Sequence, residues 1–163
     1  MARVFVNHRA GDGDQLALLI ERDLSHRFGR QHLFLSSRSV LDGDDFDRVI
    51  RKRVRRCDVL VAVIGPDWLT IPDLGDPKRR AVDNPADWPR REIVEAYTND
   101  VLVIPLLIGE VPRPAEDDLP VELGFLARVQ SLRFHLDDVG RSLDQLAERL
   151  EDVVPDLRGA ARL

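Results

Sequence analysis

Trp88 and Glu92 stand four residues apart in the segment DWPRREI, so a helix beginning there would set them on one face, one turn above the other. The spacing pairs a flat apolar surface with a carboxylate. Such a pair suits cleavage of a glycosidic bond to a ribose. That reaction passes through an oxocarbenium-like state, and a fixed carboxylate beside the sugar stabilises the positive charge developing at the anomeric carbon. A leaving group that is already cationic departs neutral, so no second carboxylic acid is needed to protonate it. The same two residues also have a structural reading. A glutamate in a first turn complements the helix dipole, and a tryptophan there commonly covers a core edge. Taken alone, the spacing favours the structural reading.

The other chemistry-bearing residues divide in the same way. Arg9 lies in the loop HRAGDGD, where a guanidinium beside glycines could hold a pyrophosphate or simply be solvated. Asp42, Gly43, Asp44 and Asp45 read as a turn followed by helix capping, because the fuller spacing of a calcium loop is absent. Arg51, Lys52, Arg53, Arg55 and Arg56 read as a solvated helix face. The chain carries 29 acidic against 24 basic residues, a formal charge of −5, which gives no general attraction for nucleic acid or an anionic membrane. His8, His26, His32 and His135 show no metal-ligand spacing. Cys57 is the only cysteine, which excludes an internal disulfide and reads as a small buried side chain. The N-terminus MARVFVNHR lacks a signal peptide's apolar stretch, and no run approaches the ~20 apolar residues of a membrane span, so a cytoplasmic location is expected.

The elements that must position these residues alternate regularly. RVFVN (3–7) reads as a strand, and Leu16, Leu19, Ile20 and Leu24 recur at helical spacing from Asp14, the expected N-cap, to Phe28, with Gly29 suited to the left-handed position beyond. HLFLS (32–36) is a second strand. A helix follows with Phe46, Val49, Ile50 and Val54 inward. DVLVAVIG (58–65) is almost wholly apolar and β-branched, as a strand covered on both faces should be. After a Pro- and Asp-rich loop, Asp87 caps a helix to about Asn99, with Pro89 in the first turn, where its missing N–H is harmless. VLVIPLLIG (101–109), a mixed segment with a short helix, SLRFHL and a final helix from about 138 to 153 complete the chain. At 163 residues with 44% apolar content, one core is expected, with residues 1–155 forming the domain and 156–163 a tail or the start of a linker. Five alternations favour an α/β fold, a parallel sheet with helices on both faces and right-handed crossovers. Ligands of such sheets sit outside the carboxyl ends of the strands, where strand order reverses. The loops carrying Arg9, Leu41 and Trp88 meet there.

Together these segments resemble the TIR (Toll/interleukin-1 receptor) domain family, in its bacterial NAD-cleaving form, over about residues 3 to 150. RVFVNHRAGDGD is similar to the family's opening strand and first loop, with Asn7 and His8 where Ser and Tyr are common. LFLSSRSVLDGDDFDRVIRKRVRRCDVLVAVIGPDWL resembles the second strand, the BB loop, the next helix and the central strand. DWPRREIVEAY resembles the segment D-W-x-x-x-E-I, whose glutamate is catalytic in NAD⁺-cleaving members. The resemblance implies a flavodoxin-like α/β fold, a five-stranded parallel sheet of order 2-1-3-4-5 with helices on both faces. It implies that Glu92 is the catalytic residue, that Trp88 stacks on substrate, and that Arg9, Ala10 and Leu41 contact NAD⁺. It implies cleavage of the nicotinamide–ribose bond, without metal, to nicotinamide and ADP-ribose or a cyclic ADP-ribose. It also implies activation by self-assembly with other TIR domains, as a homo-oligomer or filament, in immune signalling. Fold does not fix function, so two alternatives remain. One is a non-catalytic TIR scaffold that assembles through its BB loop. The other is a response-regulator-like receiver, which would need an Asp at the end of the third strand, where Val63-Ile64-Gly65 stands.

Overall fold

The computed structural model describes residues 3–36 and 45–160. Its strands are β1 (Val4–Asn7), β2 (Leu33–Leu35), β3 (Val59–Ile64), β4 (Leu102–Ile108) and β5 (Leu132–Phe134). They form one sheet in the order β2-β1-β3-β4-β5, with every pairing parallel. This is the parallel architecture expected from the alternation of patterns and the strand order that the family resemblance implies. The order reverses at β1, whose neighbours are β2 and β3, and this places the crevice above β1.

Side-chain alternation along the strands divides the interior into two layers. Val4, Val6, Val59, Val61 and Val63 pack beneath α1 (Asp14–Phe28) and α4 (Val139–Val153). Phe5, Leu60, Ala62 and Ile64 pack on the other face with Ile93 and Ala96 of α3 (Trp88–Thr98) and with Trp68. β3 is buried along its whole length, as its unbroken apolar run requires. The remaining long helix, α2 (Phe46–Val54), buries Val54 in the second layer. Pro105 stands opposite Ala62 of β3, and the β4–β5 register begins only at Leu106, so the residue without an N–H has no β5 partner.

Capping agrees with expectation at α3, where the Asp87 carboxylate accepts the Arg90 N–H at 3.1 Å and Pro89 lies in the first turn. It differs at α1. Asp14 is the first helical residue rather than the cap, and Gly13, at φ 88°, makes the turn into the helix. A left-handed backbone costs glycine little, so the turn needs no side-chain cap. The Asp14 carboxylate reaches back to accept the Gly11 N–H at 3.0 Å. Segment 110–131 carries two 3-10 stretches, Glu116–Asp118 and Val121–Ala127, where a short helix was expected. A short helix α5 (Leu157–Ala160) follows α4, and Leu157 is fully buried in the first core layer. An isolated apolar residue in a polar tail has no periodicity to reveal it.

Candidate active site

Three polypeptide segments converge at the carboxyl end of β1. The loop after β1 brings His8, Arg9 and Ala10; the end of β2 brings Ser36; the start of α3 brings Asp87, Trp88 and Pro89. All of these line one cavity of about 680 Å³, whose outer wall is Ile71 to Leu74 of the long loop. That loop is closed on itself by a bridge between Pro72 and Arg80 and by the Asp73–Arg79 ion pair at 2.7 Å.

Glu92 lies one helical turn below Trp88, as the spacing predicts, yet only 3% of it is exposed. Ser36 Oγ donates to Glu92 Oε1 at 2.6 Å, and Asn7 Nδ2 donates to the same oxygen at 2.9 Å and to the Pro89 carbonyl at 3.2 Å. Burial pushes the Glu92 carboxyl up to about 7. Hydrogen bonds from Ser36, Asn7 and Trp88 and the charge of Arg53 oppose that shift without cancelling it. The carboxylate therefore sits behind the cavity wall, separated from the open space by Ser36 and Trp88, which line it.

Arg9 is 97% buried by residue exposure of 3%, and both its terminal nitrogens are engaged with Asp87, Nη1 on Oδ1 and Nη2 on Oδ2, each at 2.7 Å. Its guanidinium also lies 5.3 Å from the centroid of the Trp68 ring. Asp87 thus caps α3 and clamps it to the β1 loop. A second tie is Asp12, whose carboxylate accepts the Gly65 N–H at 2.9 Å and the Asp67 N–H at 2.8 Å, joining the loops after β1 and β3.

Of the residues singled out from sequence, Arg9, Ala10 and Trp88 line the cavity and Glu92 lies directly behind it. Leu41 falls outside the described residues. Asn7, Ser36, Asp12 and the second role of Asp87 were not anticipated as site residues. Their one sequence signal is position, since each follows or ends a strand at the carboxyl edge or begins the helix that meets it. Among the described residues no group of three or more His, Cys, Asp or Glu could hold a metal ion. No helix among them is long and apolar enough to cross a membrane.

A parallel five-stranded sheet of this order, with an acidic helix residue at its switch point, places the chain among flavodoxin-like α/β domains. Within that class it belongs to the TIR domain family, whose model matches residues 4–150. It is 26% identical over 151 residues to the protein named NAD(+) hydrolase sarm1 of Drosophila melanogaster, a match covering 88% of this chain and 10% of the relative's length. The chain thus spans about a tenth of that relative. Two solved structures share the fold. The TIR domains of the activated Roq1 resistosome, which recognises the pathogen effector XopQ, superimpose with a TM-score of 0.65 at 12% identity, over 92% of this chain and 99% of that one. The TIR domain of the Toll-related receptor TRR-2 from Hydra magnipapillata gives 0.53 at 17% identity, over 97% and 99%.

Proposed function

We propose that this chain hydrolyses NAD⁺, with the Glu92 carboxylate stabilising the charge that develops on the nicotinamide-bearing ribose as its glycosidic bond breaks. The observation carrying this reading is the position of Glu92, directly behind the cavity of about 680 Å³ at the sheet's switch point and held by Asn7 and Ser36. The activity of the Drosophila relative supports NAD⁺ as the substrate. Nicotinamide is a cationic leaving group that departs neutral, so one carboxylate suffices and no step calls on a metal. Trp88 and Ala10 supply cavity surface for the substrate, and Arg9 holds Asp87 and through it the start of α3. Leu41 joins this surface by family resemblance. The product is ADP-ribose or a cyclic ADP-ribose.

Because Ser36 and Trp88 stand between the carboxylate and the cavity, the isolated chain is the resting form. We further propose that self-association with other TIR domains uncovers Glu92, in cytoplasmic immune signalling of the bacterial kind. The deciding measurement is NAD⁺ consumption by wild type and Glu92→Gln at low and high protein concentration. Loss of one preorganised charge-stabilising group in a shielded site costs at least roughly 10²-fold in rate. An equal rate for the variant would end the proposal.

The burial of Glu92 also favours a second reading, a non-catalytic scaffold in which the carboxylate only ties α3 to β1 and β2 through Asn7 and Ser36. In that case Glu92→Gln keeps its signalling output, and neither protein consumes NAD⁺.

A further inference from the structure

We propose that His8 is the proton acceptor for the water that completes the reaction, and that Asp14 sets its tautomer. The inference rests on the NAD⁺-cleaving reading above. Asn7, the last residue of β1, turns toward α3 and holds Glu92. Its neighbour His8 turns the other way, toward the start of α1, as alternation along an extended chain dictates. The cavity straddles the end of β1 and is lined by His8 and Asp14 on the α1 side and by Ser36, Trp88 and Pro89 on the α3 side. Groups on opposite walls leave room between them for a sugar and a water.

His8 Nδ1 is shut off from solvent, makes no hydrogen bond among the described residues, and lies 3.1 Å from Asp14 Oδ1. The other Asp14 oxygen accepts the Gly11 N–H at 3.0 Å, which fixes the carboxylate. A carboxylate this close to Nδ1 favours the proton there by its charge and leaves Nε2 as the acceptor, the orienting logic of an acid–histidine pair, which a small turn of the imidazole would complete as a hydrogen bond. In the step proposed, the bond between C1′ and the pyridine nitrogen breaks and its electron pair returns to that nitrogen, releasing neutral nicotinamide. The water oxygen then bonds to C1′, and one water proton passes to Nε2 of His8. The base is needed only for a nucleophile that must lose a proton.

That requirement supplies the test. Wild type, His8→Ala, Asp14→Asn and Glu92→Gln, each checked for folding by circular dichroism, are given NAD⁺ with excess isotopically labelled nicotinamide. Labelled nicotinamide attacks through a nitrogen that has no proton to lose. ADP-ribose formation reports hydrolysis, and label in the dinucleotide reports exchange. General-base assistance typically contributes about 10²-fold or more, so the ratio of hydrolysis to exchange falls roughly 10²-fold in His8→Ala and part-way in Asp14→Asn. Where exchange is undetectable in wild type, its appearance in His8→Ala is the expected result. An unchanged ratio, a parallel fall of both reactions, or full hydrolysis without exchange overturns the role of His8 alone, provided wild type is active and Glu92→Gln is not. A wild type that releases no nicotinamide at any concentration overturns both readings.

Discussion

At the scale of single residues, Glu92 is expected to couple pH to the proposed NAD⁺ cleavage and to stability. Its carboxyl is pushed up to about 7 chiefly by burial, whereas the unfolded chain has the ordinary value of 4.5. The stabilisation of charge on a ribose needs the anion, so kcat/KM, which reports the free enzyme, falls as pH drops below about 7. Bound NAD⁺ brings a positive pyridinium near the carboxylate and favours the anion, so the corresponding limb of kcat moves to lower pH. Matching pH profiles of the two parameters would count against this account. Stability runs in the opposite sense. A raised folded-state value means that the folded chain holds the proton more tightly than the unfolded one, so this group's contribution is full below pH 4.5 and is lost as pH rises through about 7. Glu92→Gln retains an oxygen for Ser36 and Asn7 but carries no charge. Its melting temperature is therefore expected to rise relative to wild type between pH 5 and pH 8, with an upper bound of roughly 3 kcal/mol from the size of the shift. A gap between the two proteins that stays constant with pH would show that Glu92 does not titrate in the fold.

At the scale of elements, the site is held by ties between strand ends and helix starts that lie far apart in the chain. Asp87 was legible as a helix cap because capping is local, and the Arg90 N–H it accepts is three residues away. Its partnership with Arg9 spans 78 residues and left no local sign. The tie through Asp12 makes a separable prediction. A Cβ added at Gly65 would lie 2.5 Å from Asp12 Oδ1, a carboxylate held in place by two backbone N–H groups. Gly65→Ala must displace that carboxylate and leave the Gly65 N–H buried without its partner, at a cost of about 1–3 kcal/mol. Urea unfolding of this variant reads the cost directly, and an unchanged midpoint would mean that the loops after β1 and β3 are not joined through Asp12.

At the scale of the whole molecule, two expectations concern how far the domain extends and how it works in company. Leu157 is fully buried beside Leu24, Phe28 and Leu150, so Leu157→Ala is expected to cost about 2–5 kcal/mol, as deletion of a buried leucine does elsewhere. A solvated tail would give no change in thermal unfolding. Assembly is tested by specific activity, which rises with protein concentration if self-association uncovers Glu92 and stays flat if the single chain is competent. Both experiments distinguish a self-contained fold from a self-contained enzyme. The described residues share one sheet and two core layers, whereas the carboxylate that would act on NAD⁺ is closed in.

The sequence by itself determined the parallel sheet, its order, the helices and the meeting of Arg9, Ala10, Trp88 and Glu92 at one edge. The elements rest on periodicity, caps and chain alternation, which act over a few residues at a time and are printed along the chain, and the strand order and the grouping of those residues rest on the family resemblance. Only the tertiary structure decided that Glu92 is buried under Asn7 and Ser36, that Arg9 is spent on Asp87, and that His8 faces Asp14 across the cavity from Trp88. Burial, charge pairing and the acidity of a carboxyl depend on which distant segments are brought together. Asn7 and Glu92 are 85 residues apart, and no local pattern encodes their contact.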